Sequence, residues 1–246
     1  MPSRSGINVL EFDHLPIFEQ LRIEEALLRA GEGNWCIINR GSDLAVVMGV
    51  SATPHEVVEI DRAKKMGAAI IQRFSGGGTV VVDRETCFFT IILDEKELSS
   101  PNAHNTMLWM HELLSPVFTP HLLQLEEQDF ALDNLKIAGN AQCFASKRVL
   151  HHTSFLWSWQ EEAMSLLSIP KRQPVYRKER SHAQFCNRLS SYFASKEHFV
   201  KALKQRLEQL FQIYPVEKVG DVLLKPHRKA LRALFCPRKI HLPNFR

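Results

Sequence analysis

The sequence predicts an α+β fold in which a mixed or antiparallel sheet is flanked by helices. Apolar runs of strand length come in groups, at residues 7–12, 35–48 and 68–93, and single helical segments separate the groups. This order lacks the regular alternation of strand and helix that indicates a parallel sheet. The chain has 246 residues, of which 45% are hydrophobic and 24% are charged. It is therefore long enough to bury a core within one domain.

The first elements follow from apolar spacing and from turn residues. Ile7 to Phe12 is predicted to be a strand, and a helix is predicted between Pro16 and Gly31, where apolar residues recur at helical spacing. Two further apolar runs, 35–39 and 44–48, are separated by a glycine-containing turn signal. We interpret these two runs as a β-hairpin.

A second group of elements begins with a helix signal. The run Thr53-Pro54-His55-Glu56 has the spacing of a capping box with proline at the first helical position, so a helix is predicted from Pro54 to Met66. Two β-branched runs, 68–71 and 79–82, surround three glycines, and this arrangement is typical of a hairpin. The next strand is predicted from Cys87 to Leu93.

The second half of the chain contains more helix. A helix is predicted from about Asn102 to Val117, and strands are predicted at 129–132, 135–138 and 148–157. Two helical segments, 160–167 and 181–193, follow, and Ser195 is predicted to cap a helix. The apolar stripe of that helix, interpreted as core packing, consists of Phe199, Leu203, Leu207, Leu210 and Phe211.

The domain organisation is predicted as one folded unit, residues 1–220, and a basic C-terminal tail, residues 221–246, with no separate accessory domain. From Lys225 onward there is no acidic residue and there are seven Lys and Arg residues. Such a run is either a solvated tail or a docking surface for an acidic partner.

Composition excludes several classes of protein. The net charge of +4 is too small to indicate nucleic-acid binding, and no apolar run has transmembrane length. The N-terminus lacks the hydrophobic segment of a signal peptide. The five cysteines are widely spaced, which argues against a disulfide framework and a zinc site and favours a reducing compartment, the cytoplasm or an organellar matrix. We therefore expect no metal site, no nucleic acid and no membrane partner.

The glycine triplet is the first candidate functional stretch. Gly76, Gly77 and Gly78 follow Arg73 and precede the β-branched run, so their backbone amides could cradle an anion beside a permanently charged guanidinium. A P-loop or a dinucleotide fingerprint requires a helix after the glycines, and a strand is predicted here instead. From this stretch alone, a ligand-binding loop and a tight hairpin connection remain alternatives.

The second candidate stretch places Lys136 between Leu135 and Ile137 in a strand-like run that breaks at Gly139-Asn140. A lysine in this setting is either an edge-strand charge that points to water or a cation held in a cleft. Because lysine is rarely buried without a partner, the stretch alone favours the solvent-facing interpretation.

Taken together, these stretches resemble the lipoate–protein ligases of the biotin/lipoate ligase and octanoyltransferase superfamily, which have a class II synthetase-like catalytic domain. The run from Arg73 to Asp83 is similar to their signature loop, and Lys136 to Gln142 is similar to their lysine motif. His151-His152-Thr153 resembles the histidine run that follows it. The resemblance covers roughly residues 8 to 160 and continues more faintly to about 215.

The resemblance implies an ATP-dependent ligase that forms lipoyl-AMP and then modifies a lysine of an acceptor domain. The substrates would be ATP and lipoate, with Mg²⁺ entering together with ATP. Lys136 and Arg73 would be the catalytic residues, and His152 and Asp83 are further candidates, the latter with turn capping as its alternative. The residues implied to bind ATP or lipoyl-AMP are Arg73, Gly76, Gly77, Gly78, Thr79, Val80, Val81, Lys136, Gly139, Asn140 and Ala141.

The same resemblance implies protein partners. These would be the lipoyl domains of 2-oxoacid dehydrogenase complexes or the H protein of glycine cleavage. Larger relatives carry an accessory domain for which this chain has no room, so a separate accessory subunit is an open alternative.

Two other functions stay open. An octanoyltransferase or lipoyl amidotransferase would carry the acyl group on a cysteine, expected shortly before the lysine motif; none lies between Leu122 and Leu135, and Cys143 is the nearest candidate. A non-catalytic binding protein would explain two departures from the family pattern, at Ala52 and Val82. The missing cysteine favours the ligase.

Overall fold

The structure, a computed structural model, describes residues 4–169, 173–217 and 237–240. The strands in these ranges are β1 Gly6–Phe12, β2 Asn34–Asn39, β3 Ala45–Met48, β4 Ala69–Gln72, β5 Val80–Val82, β6 Thr86–Asp94, β7 Gln124–Glu126, β8 Asp129–Leu132, β9 Leu135–Lys136, β10 Ala138–Ala145, β11 Arg148–Leu156, β12 Gln212–Pro215 and β13 Arg238–Lys239. The helices are α1 Ile17–Ala30, α2 Pro54–Val57, α3 Ile60–Lys65, α4 Ala103–Leu114, α5 Glu161–Met164, α6 His182–Phe185 and α7 Lys196–Leu210.

The largest sheet has six strands in the order β10-β11-β6-β2-β1-β12. Strand β1 pairs in parallel with both β2 and β12, and the other neighbours pair antiparallel. The sheet is therefore mixed. With helices packed against it, the predicted α+β class is confirmed.

The second sheet, ordered β13-β4-β3-β5, carries the glycine triplet. Strand β4 pairs in parallel with β3 on one side, and β5 pairs antiparallel with β3 on the other. The predicted order of strand, glycines and strand is confirmed, but the predicted hairpin is wrong. The segment from Arg73 to Thr79, here called the glycine loop, crosses the end of β3 instead of joining adjacent strands.

The hairpin predicted from 35–39 and 44–48 is also wrong. Strand β2 belongs to the six-stranded sheet, whereas β3 belongs to the four-stranded sheet. Both edges of β2 are occupied, by β1 and by β6, so no edge remains for β3. All six residues of β2 are buried, as expected for a central strand.

The helix predicted from Pro54 to Met66 is divided into α2 and α3. Val58 interrupts it with an extended backbone, at φ −129° and ψ 131°, and forms a β-bridge with Leu167. Pro54 does occupy the first helical position, but the Thr53 side chain makes no capping hydrogen bond, so the predicted capping box does not form. The tertiary contact of Val58 outweighs the local helix signal.

Three apolar clusters hold the layers together. One packs α4 and α7 against one face of the large sheet, and its aromatic centre includes Phe118, Phe155 and Phe199. A second cluster fills the space between the large sheet, α1 and the four-stranded sheet. The third covers the far face of the four-stranded sheet, where Trp159 and Met164 pack. The four-stranded sheet is thus covered on both faces.

The second half of the chain agrees with the sequence in its long elements. Strands β8 and β11 and helix α7 lie where they are predicted, and the hydroxyl of Ser195 accepts the N–H of His198 as a cap. The predicted break at Gly139-Asn140 is wrong, because both residues belong to β10 and the interruption falls at Ile137. The helices predicted at 160–167 and 181–193 contain only the four-residue helices α5 and α6.

Most of the predicted basic tail and the predicted boundary at residue 220 lie outside the described residues. Within residues 237–240, Arg238–Lys239 forms β13, which pairs antiparallel with β4. The guanidinium of Arg238 donates to Oε1 of Gln72 at 2.9 Å.

Candidate functional site

A cavity of about 550 Å³ lies between the glycine loop and the segment from Gln173 to Cys186, which we call the 173–186 wall. It brings together residues that are far apart in the sequence. The predicted site residues that line it are Gly77, Gly78, Thr79, Val80, Val81, Lys136 and Gly139.

A much smaller pocket, of about 20 Å³, adjoins this cavity. The predicted site residues that line only the small pocket are Arg73, Asn140, Ala141 and His152. Val80, Gly139 and Ser154 line both spaces and separate them. Gly76 and Asp83 line neither.

The central glycine of the triplet is the one that geometry requires. Gly77 has φ +106°, and a Cβ at this position would come within 2.7 Å of the Asn140 carbonyl oxygen. At Gly76 and Gly78 no atom lies within 4 Å of a Cβ position. The backbone conformation of the loop therefore requires glycine only at position 77. Gly76 and Gly78 leave the loop backbone accessible to a ligand because they have no side chains.

Arg73 is bonded to the loop itself. Its Nη2 donates to the carbonyl oxygens of Gly76 at 2.9 Å and of Gly78 at 2.7 Å, and its Nη1 donates to Val47. The side chain is buried, and this burial lowers the pKa of the guanidinium to about 10. The arginine therefore stabilises the conformation of the loop through its carbonyl oxygens. Its positive charge lies close to the glycine amides.

Lys136 lies in the cavity and is paired. Its ammonium nitrogen is 2.6 Å from Oδ1 of Asp129, and Oδ2 of the same carboxylate accepts the hydroxyl of Tyr176 at 3.0 Å. The Lys136 side chain is 23% exposed. An ammonium group has three donors, so two N–H bonds remain for a ligand while the pair with Asp129 persists.

Gly139 is the second residue of β10 and lies between the two spaces. A Cβ there would lie 2.6 Å from Cγ1 of Val80, so only glycine allows β10 to pass so close to β5. The next residue, Asn140, donates from Nδ2 to the Gln128 carbonyl oxygen at 3.1 Å. The lysine motif is thereby packed against β5, which directly follows the glycine loop.

The two adjacent histidines face opposite sides of β11, as strand alternation predicts. Nδ1 of His151 lies 3.0 Å from Nε2 of Gln142, and burial, with His152 adding, lowers the His151 pKa to about 3. Nδ1 of His152 lies 2.8 Å from Oε1 of Glu24, which is fully buried. His152 therefore reaches the small pocket, and His151 does not.

Asp83 closes a turn. Its Oδ1 accepts the N–H of Glu85 at 2.8 Å, and its carbonyl oxygen accepts the N–H of Ser42. Because Asp83 lines neither space, its contacts are those of the turn-capping alternative.

Asp129, Arg177, His182 and Cys186 are among the cavity residues that the sequence does not predict. Three of them lie on the 173–186 wall. Burial, together with the nearby charges of Arg177 and Lys136, lowers the pKa of His182 to about 4, so this imidazole is neutral at pH 7. No local motif marks these residues, and only the tertiary fold brings them to the cavity.

The cysteine at the cavity is Cys186, and the expectation that Cys143 is the nearest one is wrong. Cys186 lines the cavity and forms a β-bridge with Lys136, whereas Cys143 lines neither space and packs against the core around α1. Burial raises the pKa of the Cys186 thiol to about 11, against the opposing effect of Lys136. The thiol is therefore protonated at neutral pH.

The residues that could hold a nucleotide are those of the glycine loop and Lys136. The amides of Gly77 and Gly78 offer donors, and Lys136 offers a compact positive charge. Within the described ranges, no group of three or more His, Cys, Asp or Glu side chains has the arrangement of a metal site.

Comparison with known proteins identifies the family. The family model of the lipoyl protein ligase A/B catalytic domain matches residues 16–212, and the chain belongs to this family. The inactive lipoate–protein ligase 2 of Plasmodium falciparum is 25% identical over 243 residues, which cover 73% of this chain and 63% of that protein. The chain thus spans less than two thirds of the length of that relative.

Solved structures show the same fold. A protein from a study of a bi-partite lipoate protein ligase and its E2 lipoyl domain, from Thermoplasma acidophilum, aligns with a TM-score of 0.71 at 19% identity and 90% coverage of both chains. A lipoate-protein ligase A bound with ATP aligns with a TM-score of 0.71 at 18% identity, covering 89% of this chain and 92% of that one. Among the described residues we find no helix with the length and hydrophobicity to span a bilayer.

Proposed function

We propose that the chain is an ATP-dependent lipoate–protein ligase. The observation that supports this function most directly is that Lys136 and the glycine loop line one cavity. A loop with open backbone amides beside a lysine suits a substrate that carries several negative charges close together. Lipoate and ATP form such a pair.

In the proposed first step, a carboxylate oxygen of lipoate attacks the α-phosphorus of ATP. The bond from this phosphorus to the bridging oxygen breaks, and pyrophosphate leaves. The protein needs no nucleophile for this step, so its contribution is to position the anions and to offset their charge. Lys136 would contact the acyl oxygen and the α-phosphate, and Asp129 would hold its ammonium group in place.

In the second step, the amine of an acceptor lysine attacks the carbonyl carbon of lipoyl-AMP, and AMP leaves. The acceptor would be a lipoyl domain of a 2-oxoacid dehydrogenase complex or a glycine cleavage H protein. The Thermoplasma acidophilum neighbour, which comes from a bi-partite ligase studied with its E2 lipoyl domain, supports this class of partner and a separate accessory subunit. Mg²⁺ would enter bound to ATP, and the reaction would take place in the cytoplasm or an organellar matrix.

The deciding experiment is modification of a purified lipoyl domain, followed by intact mass spectrometry. A ligase adds the lipoyl mass only when lipoate and ATP are both present. Pyrophosphate release that depends on lipoate reports the first step separately. If the acceptor is modified without ATP, or if neither transfer nor pyrophosphate release occurs with an accessory subunit supplied, the ligase assignment is wrong.

A second candidate function rests on Cys186. A transferase would move an acyl group from a donor thioester to Sγ of Cys186, release the donor thiol, and then pass the acyl group to a lysine amine. The position of Cys186 beside Lys136 favours this chemistry, and its raised pKa opposes it. Transfer from an acyl-carrier thioester without ATP that is lost in Cys186→Ser would establish the transferase.

A third candidate is a non-catalytic member that binds lipoate or a partner. It is supported by the Plasmodium falciparum relative, which is named inactive, and by the departures at Ala52 and Val82. Lipoate binding without ATP-dependent pyrophosphate release would establish it.

A further inference from the structure

The 173–186 wall places a second cation in the same cavity as Lys136. Arg177 lines the cavity, yet only 4% of the residue is exposed. It stacks on Phe185, with its guanidinium carbon 5.0 Å from the ring centroid, and its Nε donates to the Arg180 carbonyl oxygen at 2.9 Å. Two different contacts therefore fix the plane of the guanidinium.

One end of this guanidinium is unsatisfied. Nη2 of Arg177 is buried and has no hydrogen-bond partner among the described residues, and no described acidic side chain forms an ion pair with it. A buried charged donor without an acceptor is costly, and native proteins rarely leave one unpaired. Such a group in the wall of a cavity indicates that a ligand supplies the acceptor.

The two carboxylates that line the cavity already accept hydrogen bonds from other groups. Asp129 accepts from Lys136 and Tyr176, and Glu127 accepts the N–H of Val175 at 2.6 Å. Lys136 is therefore partly neutralised by a direct ion pair, whereas Arg177 has no such pair among the described residues. A guanidinium fork is matched to two phosphate oxygens, which a point-like ammonium is not.

We propose that Arg177 contacts the phosphate chain of the nucleotide, from the wall opposite the glycine loop. This inference deepens the proposed function, because it rests on a nucleotide occupying this cavity. Arg177 and the glycine loop would hold the phosphates from two sides. Lys136 would then be left to act at the acyl oxygen and the α-phosphate.

The test compares Arg177→Gln and Arg177→Lys with Lys178→Gln. Lys178 is the exposed neighbour on the same turn, so its replacement removes one positive charge without touching the cavity. Calorimetry with ATP, tripolyphosphate and adenosine measures binding, and lipoate-dependent pyrophosphate release gives the KM values for ATP and lipoate. Thermal unfolding checks that each variant is folded.

Arg177→Gln should weaken ATP and tripolyphosphate binding about 10- to 100-fold, the loss expected for a hydrogen bond to a charged group. Adenosine binding and the KM for lipoate should stay within about twofold. Arg177→Lys should recover part of the loss, and Lys178→Gln should match the unaltered chain.

Equal weakening of ATP and adenosine binding would assign Arg177 a structural role and overturn the proposal, as would unchanged ATP binding in Arg177→Gln. These outcomes are separate from failure of the ligase assignment. A chain that binds ATP but releases no pyrophosphate with lipoate is not a ligase, and the binding comparison still decides the role of Arg177. A chain that binds neither ATP nor tripolyphosphate contradicts both.

Discussion

The ammonium nitrogen of Lys136 lies 2.6 Å from Oδ1 of Asp129. Oδ2 of the same carboxylate accepts the Tyr176 hydroxyl, so Asp129 connects the lysine motif to the 173–186 wall. The lysine is therefore held in the cavity by a partner that the sequence motif does not contain.

Replacing Lys136 with alanine should reduce lipoate-dependent pyrophosphate release about 100-fold or more, because the proposed function places its charge at the reacting oxygens. The Asp129 side chain is only 12% exposed and would keep just the hydrogen bond from Tyr176, so the variant should still fold but with a free energy of unfolding lower by about 1–3 kcal/mol. Kinetics and urea unfolding measure the two effects. Lys201→Ala, at an exposed site on α7, is the control. Near-normal release in Lys136→Ala would show that the lysine has no role in adenylate formation.

Replacing Asp129 with asparagine should lower the rate of pyrophosphate release about tenfold, since the ammonium group loses the charge that orients it. Tyr176→Phe removes only the hydroxyl and leaves the ion pair, so we expect a smaller loss, of about two- to threefold. Steady-state kinetics on both variants provides the comparison. A faster rate in Asp129→Asn would mean that the carboxylate restrains Lys136 and does not position it.

Gly77→Ala should destabilise the protein by about 1–3 kcal/mol, because φ is +106° and the new Cβ would meet the Asn140 carbonyl oxygen. Gly76→Ala is the matched control, since its Cβ has no atom within 4 Å. Urea unfolding of both variants, under one set of conditions, measures the difference. Equal stability of the two would contradict the geometry of the loop.

Acidification should destabilise the fold through His151. The buried imidazole of the folded state has a pKa of about 3, whereas in the unfolded chain it titrates near 6.5, so between these values the unfolded state binds the extra proton. The contribution of His151 to the free energy of unfolding is complete well above pH 6.5. It decreases as the pH falls through this value, by ~2 kcal/mol at pH 5.

Urea unfolding between pH 7 and pH 5 tests this sign. His151→Gln should be less stable at pH 7 and should show a shallower loss on acidification, whereas His55→Gln, at an exposed position, should keep the full slope. An unchanged slope in His151→Gln would place the titrating group elsewhere. His182, whose pKa is also lowered by burial, would be the next group to replace.

The sequence predicts the parts of the fold that depend on local composition. Strands β1, β6, β8 and β11 and helices α1 and α7 carry clear apolar periodicity and appear near their predicted bounds. The errors concern which elements pair with each other. The local sequence does not indicate that β2 and β3 belong to different sheets. It also does not indicate that Val58, in the middle of a helical pattern, forms a β-bridge with Leu167.

The same division applies to the candidate site. The glycine loop and Lys136 are visible in the sequence because their residue types are unusual for their setting. The opposite wall is not visible, because Arg177 and Cys186 lie in a segment with no motif and reach the cavity only through long-range packing. The hydrogen bonds of Arg73 to the loop carbonyl oxygens are also not visible in the sequence, and its predicted ligand contact stays a prediction.

The way the glycine loop is held has a consequence for affinity. Besides the bonds from Arg73, the N–H of Gly76 donates to the Gln142 carbonyl oxygen, and the N–H of Val50 donates to the Ser75 carbonyl oxygen. Ordering a free loop costs roughly 1–2 kcal/mol per residue in backbone entropy. Here that entropy is lost during folding, before any ligand arrives. A nucleotide that enters the cavity therefore meets rigid, preorganised donors, and its binding free energy is not reduced by having to order them.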